Sequence, residues 1–145
     1  RLFEKEENCI VPQDRHPSSS SQDWLARAKG DLALALALLP KGAFYEDLCF
    51  HAQQAAEKAI KAVYEKYRLP FRYTHDLGEL LAGLKERGFT IPPEIEDAQI
   101  LAVYASEYRY PSLAEPVTTE EYEEATRLAT KVVRWAEEIV TRNPG

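Results

Sequence analysis

The residues with the most chemistry to offer crowd into one stretch, FHAQQAAEKAIK, from Phe50 to Lys61. His51, Gln53, Gln54, Glu57, Lys58 and Lys61 share it with Ala52, Ala55, Ala56 and Ala59. On a helix, residues three and four apart are neighbours. Gln53, Gln54, Glu57, Lys58 and Lys61 therefore group together, and Glu57 to Lys61 runs in the favourable direction for an ion pair. Such a set either forms a solvated face beside an alanine seam or lines a polar groove or dimer interface. His51 has the chemistry of a general base near neutral pH. With no partner near it in sequence, it also reads as a helix-surface or interface histidine.

Two further constellations stand out. Between Glu57 and Tyr73, Lys58, Lys61, Lys66, Arg68 and Arg72 face only Glu57 and Glu65, interleaved with Tyr64, Tyr67, Phe71 and Tyr73. Cations beside stacking rings suit single-stranded RNA. They also suit a basic helix end, where cations meet the negative end of the dipole and rings pack a loop. The second constellation is Tyr104, Tyr108, Arg109, Tyr110 and Pro111. An arginine among tyrosines offers a fixed cation and a planar fork for phosphate, or else pairs with a local acid or stacks on a ring. His75, in Thr74-His75-Asp76-Leu77, is expected to fix the start of a helix, and His16 falls in a tail. No phosphate-binding glycine loop, Ser-His-Asp set or paired-carboxylate site is evident.

The elements that must position these groups are helices. Trp24, Ala28, Leu32, Ala35, Leu36 and Leu39 repeat at threes and fours and predict a first helix over about Asp23 to Leu39. LALALALL alternates like a strand, but alanine favours helix. Pro40 and Gly42 end it. The second helix is predicted over Phe44 to Tyr67, about 35 Å long, and stopped by Leu69-Pro70. The third runs from Asp76 to Arg87 with Leu77, Leu80, Leu81 and Leu84 inward and Gly88 as a left-handed cap. The fourth, Pro93 to Tyr108, is expected to bury Ile95, Ile100, Leu101, Val103 and Tyr104. The fifth starts from a Thr118/Glu121 capping box and ends near Thr141. The expected fold class is all-α, a four- to five-helix up-down antiparallel bundle over residues 22–142, preceded by a flexible tail over residues 1–21.

The chain has 145 residues, a formal net charge of -6 and 45% hydrophobic residues, which suits one domain with a real core and argues against a generally basic nucleic-acid coat. The longest apolar run, Leu32 to Leu39, is too short to span a bilayer, so no membrane association is expected. RLFEKEEN lacks the apolar stretch of a signal peptide, and the missing initiator Met fits a trimmed product or an incomplete sequence. Cys9 and Cys49 read as reduced thiols of a cytoplasmic protein. Two distant cysteines and three scattered histidines predict no metal site, and no cofactor is expected.

Taken together, the patterns resemble the HEPN superfamily, specifically its small stand-alone prokaryotic members. The resemblance covers roughly Trp24 to Trp135. It is carried by Trp24, Ala28, Asp31 and Leu32, by Phe50 through Ala62, by Thr74-His75-Asp76-Leu77 and by Tyr108-Arg109-Tyr110-Pro111. It implies a helical bundle, usually a homodimer. Many members are metal-independent endoribonucleases, often toxins, that use an arginine followed after four to six residues by a histidine. Arg109 stands at the comparable place, but Ala114, Glu115 and Pro116 follow at that spacing. Arg68 and His75 satisfy the spacing across a loop, a match read as chance. Arginine stabilises a phosphorane yet does not shuttle protons near neutral pH. Similar proteins are often encoded beside a minimal nucleotidyltransferase as toxin-antitoxin-like pairs. The leading expectation is therefore a dimeric nucleotide- or RNA-binding domain acting with such a partner. In it Arg109 grips phosphate, Tyr108 or Tyr110 stacks or hydrogen-bonds, and Glu57 and Lys61 line the groove. The alternatives are an endoribonuclease of divergent site, with Arg109 as stabiliser and His51 or His75 as base, and a non-catalytic interaction module.

Overall fold

The computed structural model describes residues 20–105 and 116–142. These form five α-helices and one 3-10 segment, in order: α1 Ser20–Ala35, α2 Tyr45–Lys66, α3 Leu77–Glu86, α4 Pro93–Glu96, the 3-10 segment Asp97–Tyr104 and α5 Thr119–Thr141. The all-α expectation is met, and no strand occurs among the described residues. The long helix α2 is the centre, with α1 and α5 packed against it and against each other. Helix α1 runs antiparallel to its neighbours: Ser20 Oγ reaches Glu65 near the end of α2, and Tyr122 Oη near the start of α5 reaches the Ala35 carbonyl. Helices α2 and α5 run the same way, joined at one end by Val117 N to Glu46 and at the other by Lys66 to the Arg142 carbonyl.

The alanine seam accounts for the close approach. Ala52, Ala55, Ala56, Ala59 and Ala62 are all fully buried, and Ala62 meets Leu25 of α1 and Val140 of α5 in one small cluster. Local chemistry sets the helix ends. Asp76 accepts from Glu79 N at 3.2 Å to cap α3, and Gly88 takes a φ of 96° just past its end. Thr118 and Glu121 form the expected capping box, at 3.0 and 2.9 Å.

Three features differ from the sequence expectation. The first helix starts at Ser20, so Ser20 and Ser21 belong to the bundle rather than the tail. It ends at Ala35, not Leu39. The residue before a proline avoids helical geometry, and Leu36 and Leu38 lie exposed. The fourth helix is α-helical only over its first four residues and continues as 3-10. With three residues per turn, Ile95, Ala98, Leu101 and Tyr104 stack along one edge. The first three are buried and Tyr104 packs against the core. Ile100 and Val103, expected inside, are 55% and 54% exposed.

One glycine in α3 has a specific duty. Tyr64 Oη donates to the Leu80 carbonyl at 2.6 Å and lies where a side chain on Gly83 would project. Alanine is the better helix former by about 1 kcal/mol, yet Gly83→Ala is expected to destabilise by about 1–3 kcal/mol through overpacking. Urea unfolding checks the sign. Adding Tyr64→Phe, which removes the clashing oxygen, recovers part of the loss.

Candidate functional site

Helix α2 holds two carboxylate–imidazole pairs on neighbouring faces. The first is built on Glu57. It accepts from His75 Nδ1 at 2.9 Å, from Lys61 Nζ at 2.7 Å and from Gln53 Nε2 at 2.9 Å. Glu57 is 3% exposed, Lys61 2% and Gln53 0%. The Gln53–Glu57–Lys61 stripe of α2 is therefore interior, not the solvated face or open groove wall that helical periodicity allows, whereas His51, Gln54 and Lys58 stay partly exposed. Rings from other elements make this possible. The Lys61 ammonium sits 5.6 Å from the ring centres of Trp24 on α1 and of Phe71, and 5.1 Å from that of Tyr73. Their π faces and the Glu57 carboxylate together replace water around the cation. Gln53 also approaches the His75 carbonyl at 3.5 Å, and its Oε1 is buried without a hydrogen-bond partner.

The electrostatics of Glu57 follow from this shell. Burial pushes its carboxyl up, but the hydrogen bond from His75, the charge and hydrogen bond of Lys61 and the Gln53 amide outweigh burial and hold it below the usual carboxylate range. The carboxylate in turn sets the orientation of His75, whose side chain is 40% exposed. Tyr73, 50% exposed, meets the His75 ring edge-on with centres 5.8 Å apart. The surface thus presents two aromatic rings over a buried ion pair. Beside them Arg72 makes a two-pronged bond to Glu79, at 2.8 and 2.7 Å.

The second pair is His51 with Asp31 of α1. His51 Nδ1 lies 2.9 Å from Asp31 Oδ1, and Lys58 Nζ lies 2.7 Å from Asp31 Oδ2. The partner that sequence proximity did not supply comes from twenty residues earlier. Its signal was an acid on a helix face of small and apolar residues. Periodicity also gave no sign of the enclosure of Lys61 by Trp24, Phe71 and Tyr73.

Tyr108, Arg109 and Tyr110 lie outside the described residues. Cys49 is buried, and burial, then the Glu46 and Glu121 charges, push its thiol up to about 12, which disfavours the thiolate. Among the described residues no group of three or more His, Cys, Asp or Glu is placed to hold a metal ion. None of their helices is long and apolar enough to cross a membrane.

A helical bundle centred on one long alanine-seamed helix, with a histidine from the following loop docked on its carboxylate, is the class that this architecture defines. The HEPN domain model matches residues 21–139, and the chain belongs to that family. Among solved structures it is similar to TT1696 from Thermus thermophilus, at 34% identity and a TM-score of 0.72, covering 83% of this chain and 98% of that one. It shares its fold with ST0689, an archaeal HEPN homologue, at 24% identity and a TM-score of 0.65 over the same shares. No curated protein matches it. Family membership makes the chain a helical domain of a nucleotide- and RNA-related class.

Proposed function

We propose that this chain binds nucleotides or RNA through the surface formed by Tyr73 and His75, with Arg109 gripping phosphate and Tyr108 or Tyr110 assisting. The observation that carries the reading is the exposed Tyr73 ring, backed on one side by the Lys61 ammonium and flanked by an imidazole fixed on Glu57. An aromatic platform backed by a cation attracts a nucleobase, and stacking of this kind contributes about 1–3 kcal/mol per base. Glu57 and Lys61 serve this surface from beneath: they hold the rings and leave direct contact to Tyr73 and His75. The protein acts as a homodimer. The exposed side chains of Leu34, Leu36, Leu38 and Phe44 support a further contact surface. A minimal nucleotidyltransferase is its partner in a toxin-antitoxin-like pair, a reading that rests on the family alone.

Titration with adenosine monophosphate and with a short single-stranded RNA tests the proposal. Tyr73→Ala is expected to weaken binding by about ten- to a hundredfold, the worth of one stacked base, and Arg109→Ala to weaken it further. Unchanged or absent binding in all three proteins rejects it in favour of an interaction module. RNA cleavage in EDTA that Arg109→Ala abolishes establishes the endoribonuclease instead. Sedimentation as a monomer at high micromolar concentration removes the dimer.

A further inference from the structure

We propose that His51 and Lys58, held together by Asp31, form a recognition site for a terminal phosphate, the phosphomonoester of a nucleotide or of an RNA end. The proposal deepens the nucleotide- or RNA-binding reading by giving the phosphate that Arg109 grips a second set of partners, on a face of α2 different from the one that meets its base.

The argument starts from the hydrogen-bond inventory. Asp31 has two oxygens, and each holds one cationic or potentially cationic group: His51 Nδ1 at 2.9 Å and Lys58 Nζ at 2.7 Å. The shared carboxylate is nearly buried, whereas the His51 and Lys58 side chains are 32% and 26% exposed. Asp31 therefore acts as a bracket beneath a pair of groups that reach solvent. With Nδ1 committed to the carboxylate, Nε2 is the nitrogen that faces a ligand. An ammonium has three donors, and only one is spent on Asp31. Phe50 packs edge-on against the imidazole, with centres 5.5 Å apart, and restricts its rotation. Among the described residues, Asp31 from α1 bonds His51, and Lys58 from the same helix as His51 shares that carboxylate.

The charge count selects the ligand. Asp31 and Lys58 neutralise each other, so the site carries no net charge until one proton settles on His51. A phosphomonoester monoanion keeps one ionisable proton, and an imidazole whose Nδ1–H is bonded to a carboxylate offers Nε2 as an acceptor. That proton bridges Nε2 and a phosphate oxygen, while Lys58 donates to a second oxygen. A phosphodiester has no second ionisation to contribute, so the site prefers a chain end or a mononucleotide over an internal linkage. Asp31 is a positioning residue here; it touches no ligand.

Proton NMR of the imidazole signals during titration with inorganic phosphate tests this on the unaltered protein. The His51 signal is expected to shift and saturate at millimolar phosphate. A His51 signal that does not move overturns the proposal, whatever nucleobases do at Tyr73. In a second arm, His51→Gln is expected to weaken adenosine monophosphate by about tenfold or more, the loss of one charge-assisted hydrogen bond, and to leave adenosine unchanged. The same comparison between 5′-phosphorylated and 5′-hydroxyl RNA separates a strand end from a free nucleotide. Dependence on phosphate and on His51 in either pair supports the site. Equal loss for adenosine, or no loss for either phosphorylated ligand, overturns it. If His51→Gln does not fold, the phosphate titration of the unaltered protein decides alone.

Discussion

Replacing Glu57 by alanine is expected to cost about 3–5 kcal/mol of stability, a large share of what a domain of this size possesses. The magnitude comes from what is left behind. Lys61 is 2% exposed and its carboxylate partner is Glu57, 2.7 Å away. Three aromatic rings remain around the ammonium, and they offset only part of the desolvation of an unpaired charge. His75 and Gln53 also lose the Glu57 carboxylate as an acceptor. The double variant Glu57→Ala/Lys61→Met removes the orphaned cation and is expected to recover part of the loss, the remainder being the volume lost at position 57 and the donors left by the missing carboxylate. Chemical denaturation of the wild type, both single variants and the double variant measures the cycle. A Glu57→Ala loss below about 1 kcal/mol, the range of an exposed ion pair, shows that Lys61 reaches water.

The same carboxylate gives the fold a defined acid limb. Its folded pKa is depressed by His75 and Lys61 against the opposing effect of burial. A depressed carboxylate stabilises the fold fully above its unfolded pKa, about 4.3. That contribution is lost as pH falls from there through the lower folded value. The stability of the wild type is expected to drop more steeply below about pH 4.3 than that of Glu57→Gln. Parallel slopes, measured as denaturation midpoints across that range, deny Glu57 the role.

What the sequence made legible is what is local. The capping box at Thr118 and the left-handed Gly88 are decided by residues within four positions of each other, and both match the sequence expectation. The alanine seam of α2 was legible for the same reason. The interior of the site was not. Whether Glu57 and Lys61 face water depends on Trp24 and on a loop carrying Phe71 and Tyr73, residues that periodicity on α2 does not report. The Asp31–His51 pair joins two helices, and nothing in either helix names the other as partner. Sequence pattern also failed where two helical periods compete over a short span, after Pro93.

That last ambiguity yields the sharpest test of register. Leu101→Ala is expected to cost about 2–5 kcal/mol, whereas Ile100→Ala stays within about 0.5 kcal/mol of the wild type. Leu101 is fully buried and Ile100 is 55% exposed. In an α-helix running from Pro93 through Tyr108, both residues would share the inward stripe with Ile95 and Val103, and both substitutions would open cavities. In the 3-10 geometry the turn closes every three residues, so the buried ridge is Ile95, Ala98 and Leu101, with Tyr104 following at the same interval. Ile100 and Val103 then rotate outward into a groove against Glu120, Glu121 and Glu124 at the start of α5. Urea midpoints of the two variants separate the registers. Comparable losses at both positions restore the α-helical stripe, and a large loss at Leu101 alone establishes the ridge.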